Sequence, residues 1–172
     1  AVKFLIQNMQ DSGGVYQVKE GMANYCTSIA LSAFAYLKDG ELEKYIKRMQ
    51  KFLLDNQTDS TEGLTEKDKM FGGSVYGPEG GPADLSNTSY AIEALHESGL
   101  PKDHPYWQKV QVFLKRCQGL HTVNDLVQTE SFPEESKTFV IPNDGGFTYG
   151  PVRERARSNR VEKDGRIVVP TY

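Results

Sequence analysis

The chain has 172 residues, a length that suits one domain with one hydrophobic core. Lysine and arginine total 20 against 23 aspartate and glutamate residues, and the formal net charge is -3. Such a chain lacks the broad positive field that attracts phosphate backbones, which argues against nucleic acid as a partner. Its apolar runs fall far short of the roughly 20 residues needed to cross a bilayer, so we expect no membrane span.

One pattern recurs along the chain. Residues 4–9, 52–57 and 113–118 align without gaps, and each stretch is followed by a polar segment of variable length. All three then reach a glycine pair and an aromatic residue, within residues 13–16, 72–78 and 145–151. Internal repetition at a period of tens of residues is typical of repeat architectures.

Each repeated unit is predicted to contain helix, glycine loop and helix. Apolar residues spaced three and four apart predict amphipathic helices between Leu42 and Leu53 and between Trp107 and Cys117. After the first two glycine segments, residues 24–37 and 86–98 predict a second helix, the latter capped by Asp84 or Ser86. We align these two second helices at Asn24 and Asn87. Because each unit is built from helices, the expected fold class is all-α.

The third unit ends differently from the second. After Tyr149 the chain enters an arginine-rich run from Arg153 to Arg160. Asp164 and Gly165, between short apolar stretches, predict a two-residue β-hairpin turn. Residues 152–172 are therefore interpreted as a charged tail or as a β-hairpin inserted into a truncated unit.

The repeated pattern resembles the prenyltransferase and squalene-oxidase repeat of the squalene-hopene cyclase-like (terpene cyclase/mutase) family. The likeness rests on a helix ending near Gln57, the glycine loop at Gly72 and Gly73, and a helix opening with Asn87 and Thr88. It covers residues 1–151, in units of about 1–40, 41–99 and 103–151. The resemblance implies an incomplete α/α toroid of antiparallel helical hairpins joined by glycine-rich loops.

The groups that carry chemistry in this family are missing from the sequence. Cyclases protonate a polyene with an Asp-x-Asp-Asp acid, and the nearest segment here is residues 66–69, whose Lys67 and Lys69 would keep Asp68 ionised. Related prenyltransferases hold zinc through a set that includes His, and the matching position is Asn87, a poor zinc ligand. We expect no metal and no cofactor, and the resemblance leaves enzymatic activity undecided.

Aromatic residues of the glycine loops and second helices, with one carboxylate, are the candidate ligand-binding residues. They are Tyr16, Tyr25, Tyr76, Asp84, Tyr90, Phe147 and Tyr149. Aromatic faces around a toroid cavity would hold an isoprenoid chain or a cation. Two structural alternatives stay open, namely aromatic packing between units and helix capping by Asp84.

Two functions are compatible with these features. The first is a toroid segment that binds an isoprenoid or another apolar small molecule, and the alternative is a non-catalytic helical-repeat scaffold for protein interactions. About two and a half hairpins cannot close a ring, so we expect bare apolar faces that favour a homo-oligomer or the remainder of a longer toroid. The residues expected to be bare are Val2, Leu5, Ile6 and Met9 at one end and, in part, Trp107, Val110 and Phe113 at the other.

The two cysteines carry no sign of metal or redox chemistry. Cys26 and Cys117 each lie on a predicted apolar helix face, without a neighbouring cysteine or histidine at ligand spacing. Free cysteine usually behaves as a small buried hydrophobe. We therefore interpret both as buried thiols.

Overall fold

The computed structural model describes residues 1–126, 131–132, 137–140, 143–151, 161–163 and 166–168. This part of the chain is mostly helical, which confirms the predicted helical class. Its α-helices are α1 (Val2–Gln7), α2 (Ala23–Leu37), α3 (Glu43–Asp55), α4 (Leu85–Glu97) and α5 (Tyr106–Cys117). Short 3₁₀ turns lie at Gly40–Leu42 and Ser60–Glu62.

Helix α3 shows why these segments are helical. Its apolar positions recur at three and four residues, and the ones it buries are Ile46, Met49, Phe52 and Leu53. The exposed face carries the ion pairs Lys47–Glu43 at 3.4 Å and Lys51–Asp55 at 2.6 Å. Exposed pairs of this spacing contribute at most about 0.5 kcal/mol each, so burial of the apolar stripe is the larger stabilising effect.

Helix α2 lies at the centre of the main core, packed against α3 and α4. Its Leu31 and Phe34 are fully buried. A second, smaller core lies beneath the later glycine loops and is formed by Val75, Ala83, Phe113 and Cys117. The two cores fix the starts of α2 and α4 relative to the loops.

The glycine segments share one set of backbone contacts. An antiparallel bridge joins the end of the preceding helix to the residue after the glycine pair. The bridged pairs are Met9 with Val15, Gln57 with Ser74 and Gln118 with Phe147. In the first two segments that residue's backbone N–H donates to a threonine hydroxyl, Val15 to Thr27 and Ser74 to Thr88, each at 2.9 Å. These contacts define which positions are structurally equivalent.

The threonine contacts correct the alignment of α2 with α4. Thr27 is equivalent to Thr88, and counting back one residue makes Cys26 equivalent to Asn87. The predicted alignment of Asn24 with Asn87 is therefore wrong. It matched identical residue types, whereas the backbone contacts determine the register.

A second contact supports the corrected register. The backbone N–H of Asn24 donates to the carbonyl of Tyr76 at 2.9 Å, and that of Leu85 donates to the carbonyl of Tyr149 at 2.8 Å. Each loop tyrosine thus accepts a hydrogen bond from the first turn of the helix before it in the array. In the first loop the equivalent position is Gln17.

Short strands follow the helices. They are β1 (Ser131–Phe132), β2 (Lys137–Val140), β3 (Val161–Lys163) and β4 (Arg166–Val168), in the sheet order β1-β2-β4-β3. β3 and β4 are antiparallel, with Lys163 opposite Arg166, and they lie where the sequence predicts a hairpin. β2 runs parallel to β4. β1 and β2 were not predicted. The arginine-rich run at 153–160 lies outside the described residues.

The apolar ends are more covered than predicted. Val2, Leu5, Ile6 and Met9 are half-buried against the core, and Val110 and Phe113 are buried. The expectation of bare stripes at these positions is wrong, because they pack against the main core or within the smaller one. Trp107 is partly bare, as predicted. Exposed apolar side chains of the first unit instead include Phe4, at 59%, and Ile29, at 58%.

The two cysteines differ in their burial. Cys117 is buried, as predicted, and burial raises the pKa of its thiol. Cys26 is exposed, so the prediction that it is buried is wrong. It lies on an exposed part of α2.

An ion pair joins the segment that follows α3 to α5. Lys109 donates to the carboxylate of Asp59, which also accepts from the backbone N–H of Thr61 at 2.8 Å and from its hydroxyl at 2.7 Å. Burial alone would raise the pKa of Asp59, but Lys109 and Thr61 outweigh burial and hold the pKa below its usual range.

We expect this pair to stabilise the fold above about pH 4 and its contribution to fall as pH drops through the depressed pKa of Asp59. The expected size is about 1 kcal/mol. Urea unfolding of the parent and of Asp59→Asn from pH 7 to pH 3 measures it. The two free energies of unfolding should converge in acid, and a constant difference over the whole range would contradict this assignment.

Candidate functional site: a tyrosine cluster at two helix starts

Four tyrosines meet where α2 and α4 begin. Tyr25 lies in the first turn of α2, Tyr90 lies in α4, and Tyr76 and Tyr149 lie in the second and third glycine loops. We call these four residues the tyrosine cluster. They come together because each loop tyrosine is held at the preceding helix start by its backbone carbonyl.

A chain of hydroxyl groups links the cluster. Ser86 bonds the hydroxyl of Tyr25 and, at 2.8 Å, the hydroxyl of Tyr149. Tyr149 is also 3.4 Å from the hydroxyl of Tyr76. Ser86 in turn donates to Asp84 at 3.0 Å. The polar ends of three tyrosines are therefore satisfied by one another and by Ser86.

The aromatic rings form a wall beside this chain of hydroxyls. The ring centre of Tyr25 lies 5.0 Å from that of Tyr90, edge to face, and 5.9 Å from that of Tyr76. Tyr76 is 37% exposed and Tyr90 is 41% exposed. Partly exposed rings held at these separations offer an apolar surface whose orientation is fixed before any ligand arrives.

Asp84 supports the cluster through hydrogen bonds at the start of α4. It is fully buried and caps α4, accepting from the backbone N–H of Asn87 at 2.8 Å and from its side-chain amide at 3.0 Å. The side chain of Asn24 donates to the carbonyl of Asn87 at 2.8 Å, which joins α2 to α4. The alternative that Asp84 caps a helix is confirmed.

The surroundings raise the pKa of two tyrosines of the cluster. Burial raises the pKa of Tyr25, the bond from Ser86 opposes that effect, and the nearby charge of Asp84 adds to it. The hydrogen bond with Tyr149, burial and Asp84 likewise raise the pKa of Tyr76. A tyrosine hydroxyl is protonated at neutral pH even with its ordinary pKa, and these effects extend the protonated range to higher pH.

Tyr16 and Phe147, which the sequence grouped with the cluster, lie elsewhere. The ring of Tyr16 packs 5.8 Å from that of Phe52, and Phe147 packs against the smaller core. Gln17, not Tyr16, is the position equivalent to Tyr76. The glycine pair therefore identifies the loop, while the number of residues between the pair and an aromatic residue decides where that side chain lies.

Sequence reasoning missed Ser86 and Asn24 as part of the site. Ser86 was considered only as a helix cap, yet it bonds two tyrosine hydroxyls. The available signal was its position in the first turn of α4, beside Asp84. The role of Asn24 depends on contact with another helix, which its sequence neighbours do not encode.

Comparison with known proteins gives no match to any family model, to any characterised protein or to any solved structure. Among the described residues, no grouping of three His, Cys, Asp or Glu side chains could hold a metal ion. Over the same residues, no helix has the length and apolar character required to span a membrane.

Proposed function

We propose that this chain is a segment of a squalene-cyclase-like α/α toroid and that the tyrosine cluster forms part of a binding site for an isoprenoid or another apolar small molecule. The observation that carries the proposal is the convergence of the rings of Tyr25, Tyr76 and Tyr90 at the starts of α2 and α4. The shared loop contacts support a repeated unit as its framework.

The cluster offers a ligand mainly the faces and edges of its rings. The hydroxyl groups of Tyr25, Tyr76 and Tyr149 bond within the cluster, which leaves ring surface as its main contact area. Each ring that an apolar ligand covers would contribute about 0.5 to 1.5 kcal/mol beyond simple area burial.

The proposal assigns no acid catalysis to Asp84 or Asp68. The cap at α4 occupies the carboxylate of Asp84. Asp68 accepts from the backbone N–H of Thr65 at 2.7 Å, and this bond, with that from the Thr65 hydroxyl, lowers its pKa. A general acid at neutral pH needs a raised pKa. Thr65, rather than the neighbouring lysines, is the main cause of the shift.

Calorimetric titration with farnesol, an isoprenoid alcohol, tests the proposal. Tyr90→Ala should weaken farnesol binding about fivefold, because it removes an exposed ring of the wall. Tyr36→Ala is the matched control, since Tyr36 is 85% exposed near the other end of α2. The control should bind like the parent.

Two outcomes would contradict the proposal. Farnesol binding that Tyr90→Ala weakens no more than Tyr36→Ala does would place the ligand away from the cluster. Absence of heat with farnesol and with a longer polyene would favour the alternative function, a helical-repeat scaffold for protein interactions.

A further inference from the structure

An apolar groove runs along the first unit, between α1 and α2. It encloses about 460 Å³ and includes residues of both helices and of the first glycine loop. Its wall includes Phe4, Leu5, Val15, Cys26, Ile29 and Ala33. Phe4, Cys26, Ile29 and Ala33 are exposed, which is unusual for a set of mainly apolar side chains on one face.

The second unit contains the same surface, and there it is covered except at Tyr90, which is 41% exposed. The bridges of Met9 and Gln57 make Phe4 equivalent to Phe52. The threonine contacts make Ile29 equivalent to Tyr90 and Ala33 equivalent to Ala94.

Burial differs sharply between the two copies of this surface. Phe52 is 3% exposed against 59% for Phe4, and Ala94 is 1% exposed whereas Ala33 is exposed. Asn87 is fully buried, while its equivalent Cys26 is exposed. The element packed against α3 and α4 in the second unit is α2, and the first glycine loop adds Gly14 and Tyr16 beside the ring of Phe52.

The contacts of α2 show what chemistry fills such a surface. Asn24, in the first turn of α2, donates to the carbonyl of Asn87, and Ser28 and Leu31 follow at helical spacing as buried residues. The first-turn N–H of Asn24 meets the carbonyl of the loop residue Tyr76. In the first unit the equivalent loop residue is Gln17, and it lies at the groove.

We propose that this groove is a docking surface for one occupant, an α2-like helix belonging to another helical-hairpin unit of the same repeat. The helix would seat against α1 and α2 as α2 seats against α3 and α4. The proposal continues an interface already present in the molecule. It rests on the repeated unit of the proposed function but not on the ligand of the tyrosine cluster.

A tethered unit tests this docking, with Cys26 as the reporter. Residues 1–49 are fused ahead of Val2, whose equivalent in α3 is Gln50, so that the added outer helix continues into α1. The added copy carries Cys26→Ser, which leaves the groove cysteine and the buried Cys117 as the thiols of the host chain. Maleimide labelling, mapped by mass spectrometry, then reports on groove access. The fusion removes the entropic penalty of bringing two molecules together.

We expect host Cys26 to react at least about tenfold more slowly in the fusion than in the unfused chain. The control fusion carries Ala33→Arg in the host copy. Ala33 is exposed, so the host fold should be retained while the groove is blocked, and the protection should disappear.

Equal labelling of Cys26 in the fusion and in the unfused chain would overturn the proposal, as would protection that survives Ala33→Arg. Both proteins are labelled at a concentration at which light scattering gives a monomer mass, so that a second copy of the chain does not cover the groove.

Discussion

Gly72→Ala is expected to lower the free energy of unfolding by at least about 3 kcal/mol. At room temperature the variant should therefore unfold at a much lower urea concentration than the parent, or show no cooperative transition. Gly72 has a φ of +85°, and a Cβ added there would lie 1.9 Å from the backbone carbonyl oxygen of Lys109. Two independent penalties therefore act, the left-handed backbone and a collision with α5 that no side-chain rotation relieves. Urea unfolding followed by circular dichroism measures the loss.

Gly80→Ala separates the two penalties. Gly80 has a φ of +74°, and a Cβ added there meets no atom within 4 Å. This control should lose only about 1 to 2 kcal/mol, the penalty of the left-handed backbone. Equal losses at Gly72 and Gly80 would contradict the close approach of the glycine loop to α5.

Asp84→Ala is expected to destabilise the fold by about 2 to 4 kcal/mol. The loss of the cap contributes about 1 kcal/mol, and the buried amide of Asn87, left without its acceptor, contributes about 1 to 3 kcal/mol more. Asp84→Asn keeps an oxygen that can accept from the backbone N–H of Asn87, so it should lose less. Thermal or urea unfolding distinguishes the three proteins.

Asp39→Ala is the control for this series. Asp39 also accepts a backbone N–H, from Glu41 at 3.0 Å, but at an exposed 3₁₀ turn. Its loss should cost no more than about 1 kcal/mol, because water can replace the cap. A loss at Asp84 no greater than the loss at Asp39 would mean that the carboxylate does not anchor the tyrosine cluster.

The helices were predictable because their information is local. Apolar spacing of three and four residues sets the buried face of α3 and of α5 whatever they pack against. Register between units was harder to predict. Asn24 and Asn87 share a residue type and a place near a helix start, yet they contact each other instead of occupying equivalent positions.

The site was predictable in part for the same reason. Tyr25, Tyr76 and Tyr149 were candidates because of their places near helix starts and glycine pairs. Which of them share hydrogen bonds depends on Ser86, which reaches them across two helices and a loop. The exposure of Cys26 was also not predictable, because burial depends on which neighbour covers a face and not on the face alone.

Photo-crosslinking with a diazirine derivative of farnesol tests the central claim most directly, since it reports where an apolar ligand sits. The tyrosine cluster predicts adducts on Tyr25, Tyr76, Tyr90 or Tyr149, competed by unlabelled farnesol and reduced in Tyr90→Ala but not in Tyr36→Ala. Adducts confined to Phe4, Cys26 or Ile29, in the groove of the first unit, would contradict the account.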